Sequence, residues 1–168
     1  MKVVILAGGF GTRLSEYTNK IPKPMVKIGK YPIIHHIINL YLSYGYNDFI
    51  IAGGYKYKSI LNYFKNIKIR NTNIKIINTG IKSLTATRIF KLKKYLSDET
   101  FMLTYGDGLS DIDLHKLYNF HKKNRKLITL TAVHPPARFG ELKLKGNLVK
   151  SFKEKPQLDE GWINGGFF

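Results

Sequence analysis

The sequence has 168 residues, 43% of them apolar, which suits one folded domain, and 28 Lys and Arg against 11 Asp and Glu give a net charge of +17. It contains no cysteine, which excludes disulfides, thiolate metal sites and a cysteine nucleophile. No apolar run approaches the roughly 20 residues that span a bilayer, and no signal-peptide pattern follows Met1, so a soluble, cytoplasmic protein without a membrane partner is expected. The positive charge is spread along the whole chain and goes with abundant Lys, Ile, Asn and Tyr, all with AT-rich codons. It reads as compositional drift rather than a nucleic-acid footprint. A nucleic-acid-binding protein is kept only as a remote alternative.

In chain order, strands and helices alternate, which predicts an α/β domain over residues 1–168 with a mainly parallel sheet. Val3 to Leu6 is a short continuous apolar run, as in a strand buried on both faces. Pro32 to Tyr44 carries Ile33, Ile34, Ile37, Ile38 and Tyr41 at helical spacing, with Gly45 as a stop. Strands are predicted at Asp48 to Ala52, Ile74 to Ile77, Phe101 to Thr104 and Leu127 to Val133. Helices are predicted at Tyr57 to Phe64, Arg88 to Leu96 and Ile112 to Lys123, the last with Asp111 and Asp113 as helix-start charges. Beyond Pro135-Pro136, the runs Gly140 to Leu144 and Leu148 to Phe152 flank Lys145-Gly146-Asn147, a hairpin signal. Gly161 to Phe168 reads as a further strand start. The sequence stops within this apolar run, so a C-terminal truncation is expected.

The most informative stretch is Leu6 to Pro24. A buried strand feeds a turn with Gly8, Gly9 and Gly11, whose backbone N–H groups can approach a bulky anion closely. Arg13 follows, able to fork two phosphate oxygens. Lys23 stands between Pro22 and Pro24, which restrict it and favour extended geometry. Two commoner glycine loops are excluded. No Gly-x-x-x-x-Gly-Lys-Ser/Thr run exists, and Gly9-x-Gly11 is followed by Leu14 where the dinucleotide fingerprint needs a third glycine.

With the run Leu6 to Leu14 (LAGGFGTRL) and Pro22 to Met25 (PKPM), the sequence resembles the sugar nucleotidylyltransferase family. The likeness continues through Tyr105-Gly106-Asp107-Gly108, Glu154-Lys155-Pro156 and Asn164-Gly165-Gly166. The cytidylyltransferase branch is the most similar, on Asn47-Asp48-Phe49, Gly54-Tyr55-Lys56 and Pro135-Pro136-x-Arg138-Phe139-Gly140. The resemblance implies a Rossmann-like three-layer sandwich with a β-hairpin near its C-terminus. It also implies transfer of a nucleotidyl group from CTP, or another nucleoside triphosphate, to glucose 1-phosphate or a similar sugar 1-phosphate. Sugar nucleotides of this kind feed cell-surface polysaccharides. A homo-oligomer is implied for the full-length protein.

The same resemblance assigns roles. Arg13 holds the leaving pyrophosphate and Lys23 the reacting phosphates. Leu6, Ala7, Gly8, Gly9, Gly11, Thr12, Thr85, Arg88 and Gly106 surround the nucleotide. Gly140, Glu154, Lys155, Asn164 and Gly166 hold the sugar phosphate, with Arg138 a weaker candidate, and Asp107 binds Mg²⁺. In isolation, Asp107-Gly108 reads as an Asp-Gly turn and Glu154-Lys155-Pro156 as a solvated one. The resemblance implies a second metal-binding aspartate beyond Phe168, so a homologue that only binds nucleotide stays open as an alternative. Thr79 to Arg88 should flank the base; Ala86-Thr87 stands where the branch has a glycine pair, which leaves uridylyl or thymidylyl transfer open. The five histidines read as scaffold or surface residues, since adjacent His35 and His36 cannot share a helix face.

Overall fold

A computed structural model describes residues 1–11, 20–96, 98–135, 141–153 and 161–168. Its centre is a four-stranded sheet, β1 (Lys2–Ala7), β4 (Asp48–Gly53), β5 (Asn73–Asn78) and β6 (Met102–Tyr105), in the order β5-β4-β1-β6. All three pairings are parallel, with Val3 opposite Phe49 and Met102, and Phe49 opposite Ile74. Between β1 and β4 in the chain, the short strands β2 (Lys27–Ile28) and β3 (Tyr31–Pro32) pair antiparallel with each other. Along β1, successive side chains point to opposite faces and both faces are covered. Val3 and Ile5 join one core with Phe49, Ile51 and Met102; Val4 joins the other with Ile50, Ala52 and Leu103. This two-sided burial is why the first strand reads as an unbroken apolar run.

Helices fill both sides. On the first face, α1 (Ile33–Ser43) presents Ile34, Ile37, Ile38 and Tyr41, all fully buried. It is joined there by Ile60 of α2 (Tyr57–Asn66) and Leu114 of α5 (Leu114–Asn124). On the second face lie Leu92 and Leu96, from α3 (Thr85–Lys91) and α4 (Lys93–Leu96) with the break between them. Three layers result. The start of α5 is capped by Asp113, whose Oδ1 accepts the Lys116 N–H at 2.9 Å, as its reading as a helix-start charge anticipates.

Two smaller elements differ from the sequence expectation. The helix expected from Arg88 to Leu96 begins three residues earlier and breaks at Leu92. The strand expected from Leu127 shrinks to β7 (Ala132–Val133), which pairs antiparallel with β10 (Ile163–Asn164). Leu127 is fully exposed, because an apolar run forms a strand only where a partner ladder accepts it. The final residues do find such a ladder. Phe168 exchanges both backbone hydrogen bonds with Leu103, and Phe167 bridges Thr104, so an antiparallel segment borders β6. The predicted hairpin is present as β8 (Glu141–Lys145) and β9 (Leu148–Lys153).

His35, 7% exposed, illustrates how the core responds to acid. Its Nδ1 lies 2.8 Å from the Tyr63 hydroxyl, and its ring stacks on Tyr31. Burial, reinforced by neighbouring His36, holds its pKa below the ordinary 6.5. The unfolded chain therefore takes up this proton first as pH falls, and stability present above pH 6.5 is lost below it. Urea midpoints measured at neutral and mildly acidic pH should show this loss, and His35→Gln should flatten it.

Candidate active site

Ligands of open α/β sheets bind beyond the carboxyl ends of the strands. At that edge of the sheet lies a cavity of about 390 Å³. Its floor is the end of β1 and the turn after it, contributed by Leu6, Ala7, Gly8, Gly9, Phe10 and Gly11. Gly11 has φ +68°, the left-handed region in which a side chain would be strained. One wall is Lys23 and Pro24 with Tyr105 and Asp107; the facing wall is the segment 81–85 with Arg88.

Lys23 opens a short 3-10 turn, Lys23–Met25, so it is not extended as its proline neighbours led us to expect. The Met25 N–H donates to Pro22 O at 2.8 Å and the Val26 N–H to Lys23 O at 3.0 Å. Pro24 is buried beneath, close against Gly106, which holds the turn beside the end of β6. From this turn, Lys23 Nζ reaches Asp107 Oδ2 at 2.5 Å. The lysine and aspartate side chains keep 25% and 35% of their exposure, so both remain open to the cavity. Asp107 is carried there by β6 through Gly106, whose N–H donates to Leu6 O at 2.9 Å. A Cβ on Gly106 would sit 3.0 Å from Leu6 O and from Pro24 Cγ, so only glycine fits without movement.

Arg88 borders the cavity from behind and is 5% exposed. Its Nη1 donates to Thr79 Oγ1 at 2.7 Å, Gly80 O at 2.9 Å and Gly53 O at 3.3 Å. Its Nη2 donates to Gly8 O at 2.8 Å and Ile81 O at 3.3 Å. Burial lowers the pKa of this guanidinium. Lys91 supports the same segment by donating to Thr79 O and Ser83 Oγ.

Of the residues expected at the site, Leu6, Ala7, Gly8, Gly9, Gly11, Lys23, Thr85, Arg88 and Asp107 surround this one cavity, with Gly106 directly beneath it. Asn164 and Gly166 stand beside it. The Asn164 side chain accepts the Gly166 N–H at 2.8 Å and donates to the hydroxyl of Tyr105 at 3.4 Å. Thr12, Arg13, Arg138, Gly140, Glu154 and Lys155 lie outside the described residues. Residues 81–84, within the Thr79 to Arg88 stretch expected to flank the base, also line the cavity, whereas sequence reasoning missed Phe10, Pro24 and Tyr105 as lining residues. The signal for Tyr105 was available, since it immediately precedes Gly106-Asp107-Gly108. A larger open hollow of about 970 Å³ lies across the 81–84 segment, where Lys56, Lys58, Lys82 and Lys91 gather. Neither the glycine turn nor Asp107 reaches it.

A family model for nucleotidyl transferases matches residues 2–168, and the chain belongs to that family. It is 44% identical over 190 aligned residues to glucose-1-phosphate cytidylyltransferase of Salmonella typhimurium, covering 100% of this chain and 74% of that protein. Similarity to a probable glucose-1-phosphate cytidylyltransferase of Bacillus subtilis is 41% identity over 188 residues, with coverage of 100% and 74%. Among solved structures, HddC from Yersinia pseudotuberculosis complexed with GMP-PN aligns with a TM-score of 0.72 at 28% identity, covering 99% of this chain and 74% of that one. This chain is accordingly a sugar-1-phosphate nucleotidyltransferase, similar to the glucose-1-phosphate cytidylyltransferases. Among the described residues, no helix is long and apolar enough to cross a membrane.

Proposed function

We propose that the chain transfers the cytidylyl group of CTP to glucose 1-phosphate, giving CDP-glucose and pyrophosphate. A phosphate oxygen of the sugar attacks the α-phosphorus of CTP, a new P–O bond forms, and the bond to the β-phosphate oxygen breaks. The pair of electrons leaves with pyrophosphate. No covalent enzyme intermediate is required, so the protein's contribution is to position two anions and neutralise the charge that develops between them.

The observation that supports this most is the meeting of Lys23 and Asp107 beside the glycine turn, across 84 residues of sequence. A cation and a carboxylate at one anion-binding turn serve two different needs. In this reading Lys23 stabilises the reacting phosphates, and Asp107 holds a cation against them. The base belongs against the 81–85 wall, where half-exposed Ile81 and largely exposed Leu84 offer apolar surface to a flat ring. Thr85 stands next to them and Arg13 is assigned to the pyrophosphate. The sugar phosphate is assigned to the Tyr105–Asn164 side with Gly166, and Gly140, Glu154 and Lys155 are assigned to it from the family resemblance alone.

The donor set at Asp107 fits magnesium in one particular way. Among the described residues, no group of three or more His, Asp or Glu gathers as a cage. A single carboxylate beside an anion turn suits Mg²⁺ that shares its coordination with substrate phosphates and water. When bound, the ion would supply charge neutralisation at the phosphate oxygens. Asp107 would hold it, and Lys23 would be released from Asp107 towards the phosphates.

Pyrophosphate release measured across CTP, UTP, dTTP and GTP, each with glucose 1-phosphate and Mg²⁺, tests the reading. CTP should be used at least about tenfold faster than the others, the scale of one mispaired buried polar contact at the base. A clear preference for another base would overturn the cytidylyl assignment. Tight CTP binding without any release would reduce the chain to a nucleotide-binding homologue.

A further inference from the structure

We infer that Arg88 is a positioning residue that locks the peptide between Gly8 and Gly9, so that the Gly9 N–H is presented to a phosphate in the cavity. The proposal rests on the glycine turn being the phosphate site, and it assigns Arg88 a role exerted through the backbone rather than by touching nucleotide.

The geometry leads there in steps. Gly8 O receives two donors, Arg88 Nη2 at 2.8 Å and the Tyr55 N–H at 3.1 Å, which occupy both of its lone pairs. In a planar trans peptide, the carbonyl and the following N–H point in opposite directions. The described chain has no cis peptide bond. Drawing the Gly8 carbonyl inward to Arg88 and Tyr55 therefore turns the Gly9 N–H outward. Burial agrees with this, since Gly8 is buried and Gly9 exposed, and both line the cavity.

A Gly-Gly peptide is the one most in need of such a lock. With no Cβ on either side, rotation of the intervening peptide plane meets little steric resistance. Two glycines in turn make the lock possible. A Cβ built on Gly8 runs into the guanidinium, and one on Gly54 lies 2.5 Å from Arg88 Nη1 and 2.6 Å from Gly8 O. The remaining donors of Arg88 reach Gly53 O, Thr79 Oγ1, Gly80 O and Ile81 O, so one group ties together the ends of β1, β4 and β5. Only a planar fork spans these positions; a lysine ammonium is a point donor and cannot. The described ion pairs are Lys23–Asp107 and Lys116–Asp113, so no described carboxylate neutralises Arg88. Its charge is thus directed at the turn, which favours an anion there.

Calorimetric titration with inorganic tripolyphosphate and with CTP, both in EDTA, tests the lock on wild type and Arg88→Lys. The lysine variant keeps the charge and loses the fork. It should bind both ligands about tenfold or more weakly, the scale of one charge-assisted N–H contact. Weaker CTP binding with unchanged tripolyphosphate binding would make Arg88 a contact of the nucleoside and overturn the lock, while leaving the nucleotidyl-transfer reading intact. Failure of the wild type to bind either ligand would remove both. A measurement on the wild type alone covers a variant that fails to fold. On saturation with tripolyphosphate, the Gly9 amide proton resonance should move downfield, and a Gly9 amide that does not respond contradicts the proposal.

Discussion

Lys23→Ala should slow pyrophosphate release by about 10²–10³-fold, the usual loss when one preorganised donor is removed from developing charge. The variant should nevertheless fold normally. Its side chain is a quarter exposed, and the ion pair with Asp107 sits at a solvent-accessible mouth. Pairs of that kind contribute about 0–1 kcal/mol. The anchoring of the turn comes instead from buried Pro24 and from the backbone bonds to Pro22 O and Lys23 O, none of which the substitution removes. A thermal midpoint within a few degrees of wild type, together with a large fall in turnover, is the expected pairing. Unchanged turnover would remove Lys23 from the reaction.

Asp107→Asn should act on the same centre with a different signature. Its carboxylate is the described acid at the cavity, so losing one charge should raise the Mg²⁺ concentration needed for half-maximal rate by at least about tenfold, the lower end of what weaker outer groups cost. Turnover should fall at saturating metal as well. In the absence of metal the direction reverses for anions. Lys23 is then released from its 2.5 Å partner, and tripolyphosphate should bind more tightly to Asp107→Asn than to wild type. Titration with and without EDTA separates the two effects. An aspartate serving only as a turn residue would change neither the metal requirement nor the anion affinity.

Much of this was legible in the residues because local pattern and tertiary role coincide. Val3 to Leu6 reads as buried on both faces, and helices cover both faces of β1. Gly8, Gly9 and Gly11 read as a turn made for close approach, and they form the floor of the cavity. Lys23 and Asp107 could be placed together only through the family resemblance, since no periodicity links positions 84 residues apart. Other features depend on partners that a local pattern does not contain. Leu127 to Val133 looks like a strand, yet only its last residues, Ala132–Val133, find a ladder, against Ile163–Asn164. Arg88 reads as a ligand-facing cation, but its acceptors come from three separate strand ends and become visible only when those are assembled. Ala86 and Thr87, which stand where a glycine pair was expected, lie in the first turn of α3, and neither has a positive φ. The left-handed position nearby is Gly80, at φ +93°.

A crystal structure of the chain with CTP and Mg²⁺ examines the convergence of the glycine turn, Lys23 and Asp107 most directly. The triphosphate should lie over Gly8 to Gly11, with Lys23 Nζ withdrawn from Asp107 to about 3 Å from a phosphate oxygen. Nucleotide seated in the lysine-lined hollow beyond Ile81, with the Lys23–Asp107 pair still closed, is the arrangement incompatible with it.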